Sequence, residues 1–424
     1  MKGKANRRSR ASVGIKEEDM SRLSPAAFSK LVRQVDPSDL GSDFARWPEL
    51  AREAWRLSDI PHTNGLDPST LSTIIVTGMG GSGIVGELIA DICEEADSRT
   101  QVIVLKNYHL PSWMKNDAVR KETLVVGVSC SGNTEETLSV LNESARAGLK
   151  GFAFGSGGEL EKFCQRHAEF VFTKTGALKV PRSSLPALFY PVLKFFISSG
   201  IVRLSDADVQ ESFHSLSTMK QGCQNLESGA KNKVLELANQ MSKTSRLGIP
   251  ITPLIYSSRR TRAVGMRFRQ SLNENAKLHG FDGQIPELCH NDIVGWDSSA
   301  ASTTVNSPLI ARGIPHGTKS KNAKRNNGIN NALPVLLRLE DDPVEIKTRF
   351  EIVEDVIRGT GVTPIYAAYS GSSYLARVMS MLYSLDYSTY YTAILRRVDP
   401  IKTDSIGFLK AELKNRLDYL HRFK

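Results

Sequence analysis

Residues 73–88 read TIIVTGMGGSGIVGEL, a β-branched apolar run that breaks into glycines and then resumes as an apolar helical pattern. Gly78, Gly80 and Gly83 fit G-x-G-x-x-G, where glycines let the backbone approach a pyrophosphate at the start of the following helix. The spacing suggests a dinucleotide, but that reading needs an acidic residue about 20 residues on, closing the second strand, to hold a ribose. The second strand lies in QVIVLKNYHL (101–110) and ends in Lys106, Asn107 and Tyr108, with Glu94, Glu95 and Asp97 placed before it. A lysine there suits only a phosphorylated ribose, so an NADP-dependent oxidoreductase is the one dinucleotide reading that survives.

The third strand weighs against a dinucleotide, because VVGVSCSGNTEETLSVL (125–141) ends it in a second glycine loop with hydroxyls. Ser129, Ser131 and Thr134 carry the hydroxyls, Gly132 permits close approach, and Asn133 or Thr134 is expected to cap the next helix, with Glu136 or Thr137 completing the pattern. Unsatisfied N–H groups and the positive dipole end at a helix start make such a loop a site for a phosphate dianion. Read alone, either loop could be an ordinary capped turn. Two on successive strand ends favour phosphate, and neither holds the Gly-Lys-Ser/Thr of a nucleoside triphosphate loop.

Around these loops the chain alternates strand, polar loop and helix. Strands are expected at 74–77, 101–105, 123–129, 151–154 and 170–173, with helices over 37–57, 84–93, 134–147 and 184–198. After a polar helical stretch over 206–240 the grammar repeats: strand 253–256, helix 261–277, strand 333–339, helix 344–358, strand 363–369 and helices to the end. Alternation of this kind implies parallel sheets with helices on both faces, and a ligand site at the carboxyl ends of the strands.

The chain of 424 residues is 40% hydrophobic and 24% charged, ordinary for a globular protein of two or three domains. No apolar run approaches the ~18 residues of a membrane span, and no hydrophobic segment follows the basic start, so a cytoplasmic protein is expected. The net charge of +10 sits in two places: residues 1–16 carry six Lys/Arg and residues 298–331 carry five, with no acid in either. Both segments are poor in large apolar residues and are expected to be disordered; nucleic acid is not an expected partner, because the body of the chain is near neutral. Five scattered cysteines, Cys93, Cys130, Cys164, Cys223 and Cys289, support neither a zinc site nor a disulfide framework.

GMGGSGIVGEL (78–88) and VSCSGNTEETLSVL (128–141) resemble the two hallmark segments of sugar isomerase (SIS) domains. VPRSSLPAL (180–188), LNENAKLHGF (272–281), PELCHNDIVGW (286–296) and LYSLDYSTYYTAILRRVDP (382–400) together resemble the bifunctional phosphoglucose/phosphomannose isomerase family. The resemblance runs from about Val35 to Lys410, with 298–331 as an insertion. It implies an α/β fold of two SIS domains, each a doubly wound, flavodoxin-like three-layer sandwich. The expected division is a basic disordered tail over 1–34, a first domain over 35–205, a helical connection over 206–247 and a second domain over 248–424.

The same resemblance implies an aldose–ketose isomerase acting on a hexose 6-phosphate through a cis-enediol, with neither metal nor redox cofactor. Helical spacing puts Val264, Phe268, Leu272 and Ala276 on an apolar line, and Arg267, Gln270, Glu274 and Lys277 towards a solvated face. The resemblance instead makes Glu274 the base that carries a proton between C1 and C2, and Arg182 the charge that stabilises the enediolate oxygen. His290, otherwise a lone loop histidine, would assist ring opening, reaching into the neighbouring subunit of a homodimer. Lys410, beside a stripe of Leu409, Leu413, Leu417 and Leu420, would also help ring opening, and Thr403, seven residues earlier, would admit mannose as well as glucose stereochemistry. Gly80, Gly81, Ser82, Ser129, Ser131 and Thr134 would bind the phosphate. Cys130 departs from the aromatic or small residue usual in the family. A non-catalytic sugar-phosphate-binding regulator is the alternative of a different class.

Overall fold

The computed structural model describes residues 24–57, 67–226, 232–245, 248–302 and 331–417. The basic start and most of the basic insert therefore lie outside the described residues. The first half is built on β1 (Thr73–Thr77), β2 (Gln101–Leu105), β3 (Thr123–Ser129), β4 (Lys150–Gly155) and β5 (Phe170–Lys174), all parallel in the order β2-β1-β3-β4-β5. β1 and β3 are buried along their whole length, which is why both read as unbroken runs of β-branched and apolar residues.

Alternation within those runs divides the apolar side chains between two layers. Ile75, Val125 and Ala153 face an outer layer that holds Leu138 and Leu141 of α6 (Glu135–Arg146) and Leu160 and Phe163 of α7 (Gly158–Arg166). Ile74, Val76, Leu124, Val126 and Phe152 face the opposite way, onto α4 (Gly80–Glu95) and α8 (Leu185–Ser198).

The second half repeats the plan with β6 (Thr252–Ser257), β7 (Phe281–Gln284), β8 (Ala332–Leu337) and β9 (Ile365–Tyr366), parallel in the order β7-β6-β8-β9. Its outer face packs on α12 (Val344–Gly359), with Phe350, Val353 and Ile357 against Tyr256 and Leu336. In each sheet the first strand is central, the next lies to one side and the rest to the other. The order reverses between β1 and β3 in one half and between β6 and β8 in the other. Crevices at such reversals, beyond the carboxyl ends, are where open α/β sheets bind ligands.

Between the sheets lie α9 (Asp206–Gln224), α10 (Lys233–Ser242), α11 (Arg262–Ser271) and α13 (Tyr374–Leu395). From Leu375 on, α13 is buried at every residue but Arg377. A single apolar cluster runs from Ile74 and Val126 of the first sheet through α9, α10 and α13 to Ile255 and Val335 of the second. Carboxylates of α4 fasten the halves together at its far end. Arg262 reaches Glu87 at 2.6 Å and Asp91 at 2.9 Å, and Arg260 reaches Glu95 at 2.6 Å.

Four expectations need correction. The tail expected to be disordered through residue 34 gives way at Ser24, whose hydroxyl caps α1 (Pro25–Val35); Phe28 and Leu31 are buried, Phe28 edge-on to Tyr391 at 5.3 Å. The polar stretch 206–240 is two helices, α9 and α10, with 227–231 outside the described residues. The strand expected over 363–369 shortens to two residues, and β7 forms where a loop was read. On α14 (Asp404–Leu417), Leu409 beside Lys410 is 59% exposed.

Candidate active site

The glycine loop after β1 turns into α4 with no side chain capping the helix, and Gly80 takes a left-handed φ of 51°. Ser82 is buried in the first turn, and its Oγ accepts from the Cys130 N–H at 3.0 Å, so the loops after β1 and β3 are tied across the crevice. In the second loop the hydroxyls of Ser129 and Thr134 lie 2.8 Å apart, and the Gly132 N–H donates to Ser129 Oγ at 3.1 Å. Gly132 has φ 69°, and a Cβ there would stand 1.7 Å from the carbonyl oxygen of Gly157, so no other residue fits. Ser131 is exposed, its Oγ accepting from the Asn133 N–H at 3.2 Å.

The cap expected from Asn133 or Thr134 does not form. Thr134 precedes α6, but its hydroxyl is turned to Ser129 and no side chain caps the helix. Two helices thus start at one crevice with their first N–H groups uncapped by side chains and hydroxyls gathered between them, a built place for an anion. The matching crevice of the second half is held by the protein's own carboxylates. There Asp91 accepts from the Ala263 N–H at 3.0 Å, and Asp342 lies 3.5 Å from the Ser258 hydroxyl.

Beside the first crevice stands Arg182, 3% exposed, in the loop before α8. Asp43, buried on α2 (Leu40–Ala45), fixes this loop by accepting from the Lys179 N–H at 3.1 Å and the Ser183 hydroxyl at 2.9 Å. Trp47, which opens α3 (Trp47–Trp55), donates to the Ser183 carbonyl at 2.8 Å. A Cβ at Gly81 would lie 3.5 Å from the Arg182 backbone, so the first glycine loop abuts it directly. The guanidinium donates from Nη1 to Glu274 Oε2 at 3.1 Å, from Nε to Asn275 Oδ1 at 2.7 Å, and from Nη2 to the carbonyls of Pro400 at 2.6 Å and Ile401 at 3.1 Å. Burial draws the Arg182 pKa below its ordinary value, and the Glu274 charge works against that draw.

Glu274 owes its position to a local irregularity. α11 ends at Ser271 and passes into a π turn, Leu272–Ala276, closed by Lys277 in the left-handed region at φ 53°. The wider turn buries Leu272, Asn275 and Ala276 and leaves Glu274 25% exposed towards Arg182. Insertions of this kind are frequent at functional sites. Arg267, read from its spacing as solvated, is 1% exposed instead: it pairs with Asp386 of α13 at 2.8 Å and donates to the Arg182 carbonyl at 2.6 Å. Ser271 donates to the same carboxylate at 2.5 Å, and Asn275 donates to Thr389 Oγ1 at 2.9 Å. Sequence reasoning missed Asp386 and Thr389. Asp386 is the one acidic residue in the 22-residue run of α13, and that isolation was the available signal.

Thr403 lies half-buried before α14, its carbonyl accepting from the N–H groups of Ile406 and Gly407. Lys410 is exposed on α14 and close to the β3 loop. Burial and the Glu136 charge raise the Glu135 pKa, and Lys410 lowers it, which puts that cation by the first turn of α6. His290 is not brought to this cluster. It ends a short 3-10 turn, Glu287–His290, after the edge strand β7, exposed and with no hydrogen bond or ion pair to its ring among the described residues.

Comparison with known proteins follows the same lines. Residues 230–413 match the family model described as the bacterial phospho-glucose isomerase C-terminal SIS domain. The bifunctional phosphoglucose/phosphomannose isomerase of Caldicellulosiruptor bescii is 29% identical over 377 residues, covering 86% of this chain and 96% of the relative. The protein of the same name from Aquifex aeolicus is 28% identical, covering 80% of this chain and 90% of its own. Over most of its length the chain is similar to bifunctional phosphoglucose/phosphomannose isomerases. Its fold is also that of the C-terminal domain of glucosamine-fructose-6-phosphate aminotransferase from Francisella tularensis, with a TM-score of 0.55 at 13% identity, covering 85% of this chain and 97% of that one. In this chain Arg182 and Glu274 come together although 92 residues separate them. Among the described residues no helix is long and apolar enough to cross a membrane.

Proposed function

We propose that the chain interconverts glucose 6-phosphate and mannose 6-phosphate with fructose 6-phosphate through a cis-enediolate. The observation that carries this reading is the Arg182–Glu274 pair at the edge of a crevice with two side-chain-uncapped helix starts. The phosphate sits between α4 and α6, among Gly80, Gly81, Ser82, Ser129, Ser131 and Thr134. Glu274 then takes a proton from one of C1 and C2 and returns it to the other on the same face, a task for one ionised carboxylate. Negative charge develops on the sugar oxygen as the enediolate forms. Arg182 answers it: a guanidinium has five N–H donors, and four are engaged with Asn275, Glu274, Pro400 and Ile401, which leaves one on Nη1. Lys410 and His290 open the ring, and Thr403 lines the C2 stereochemical position.

A coupled assay for fructose 6-phosphate formed from each hexose 6-phosphate tests the reading. Turnover of both substrates supports it. Glucose 6-phosphate binding without turnover would instead mark a sugar-phosphate-binding regulator.

Thr134→Val removes a hydroxyl from the crevice while keeping its volume. KM for glucose 6-phosphate should rise about 10-fold or more with kcat within a few-fold, since a hydrogen bond to a charged group contributes about 1.5–3 kcal/mol. Inorganic phosphate should lose inhibitory strength in parallel, and an unchanged KM would take Thr134 out of the phosphate site.

The working unit is a homodimer in the cytoplasm, with His290 supplied to the partner's site. Phe281 at 63% and Val294 at 60% exposure flank the His290 segment and suit an apolar contact. Co-expressing Glu274→Gln and His290→Ala chains, each inactive alone, should restore about a quarter of wild-type activity, because half of randomly mixed dimers carry one intact site of two. No restoration would place His290 outside a shared site.

A further inference from the structure

We infer that Lys277 is a positioning residue of this site: its ammonium clamps the Glu274 turn to the segment Asp399–Ile401. The inference rests on the isomerase reading and deepens it. Although Lys277 is an exposed residue, its ammonium is committed, donating to the carbonyls of Glu274 at 2.7 Å and Asp399 at 2.8 Å, with Asn275 O at 3.4 Å. The left-handed backbone at Lys277 folds the side chain back over the π turn that ends there.

Two cations thereby brace the same strip of chain from opposite ends. Arg182 holds the carbonyls of Pro400 and Ile401, and Lys277 holds that of Asp399. Both cations also hold the Glu274 turn, one by the side chains of Glu274 and Asn275 and the other by the carbonyls of those residues. The strip leads on to Thr403 and to α14 with Lys410, so the clamp fixes the base relative to the ring-opening side of the site.

The charged groups around the ammonium are Glu274 on its own turn, Arg182 from the loop before α8, Arg396 at the end of α13, Asp399 with its partner Lys402, and Asp404 on α14. Burial and the Arg182 charge bring the Lys277 pKa down to about 8, against the pull of Asp399, Glu274 and Asp404. The clamp is therefore charged below about pH 8 and neutral above it. Its folded pKa lies below the unfolded one, so loss of the proton does not weaken the fold: stability rises with pH through this window while the clamp slackens.

The test compares wild type, Lys277→Arg and Lys277→Met in kcat and KM across pH, with unfolding temperature alongside. Wild-type kcat should fall above about pH 8 without a fall in unfolding temperature. Lys277→Arg should carry that alkaline limb upward, and Lys277→Met should lose about 10-fold or more in kcat, with KM within a few-fold. Independently of turnover, the Ile401 amide, which donates to Asp399 Oδ1 at 3.0 Å, should exchange faster in Lys277→Met. A wild type without isomerase activity overturns the activity reading. An active wild type with unchanged kcat, limb and Ile401 exchange in Lys277→Met overturns the clamp alone.

Discussion

Glu274→Gln is expected to lower kcat on both hexose 6-phosphates by about 10²-fold or more, the usual contribution of a positioned general base. The substitution removes the one atom pair able to take a proton and changes little else. An amide oxygen still accepts from Arg182 Nη1, and Leu272, Asn275 and Ala276 still anchor the turn. KM should therefore stay within a few-fold, and unfolding temperature should hold. Substrate incubated in heavy water gives a second readout, because exchange at C2 requires the base and should vanish with the rate. A variant at full rate, or one that keeps exchange, would sink the assignment of Glu274.

The second large effect lies one layer deeper. Arg267→Met should destabilise the chain by about 3–5 kcal/mol, since it strands the Asp386 carboxylate in a fully buried place. Ser271 would be its remaining partner, and the carbonyl of Arg182 would lose its donor, so kcat should fall as well. Burial already raises the Asp386 pKa, with Arg267 as the main opposing influence. Without Arg267 the folded pKa rises further above the unfolded one. The variant's deficit should then be smallest at acid pH and grow as pH rises through that folded value. Urea titrations at two pH values measure this, and adding Asp386→Leu should recover much of the stability by removing the unpaired charge. A loss under about 1 kcal/mol would mean that water or another group solvates Asp386.

The two loops and the strands that carry them were legible because burial on both faces imposes a pattern on each strand by itself. β7 was not, because FDGQ has no alternation and two residues that strands disfavour; it exists through its pairing with β6. α1 carried a start signal in Ser24-Pro25, overlooked because it follows a run of charges. At the site, Arg182 and Glu274 came from resemblance, since helical periodicity pointed Glu274 and Arg267 alike to solvent. The π turn breaks that periodicity, and Asp386 gives Arg267 a partner 119 residues away. Neither fact is local, so neither leaves a trace in a window of sequence. Thr134 shows the reverse case: it occupies the capping position while its hydroxyl serves the neighbouring loop.

The apolar cluster that passes through α13 has a consequence for how the molecule can move. Two sheets that share one interior cannot swing apart without exposing it, so the first crevice does not gape by hinge motion as it would between separately folded lobes. Apolar side chains that stand open to solvent lie instead at the periphery, as on α14, where Ile406, Phe408 and Leu409 are exposed. The Arg182–Glu274 pair thus stands on the shared middle, and α14 with its exposed apolar side chains stands at the rim.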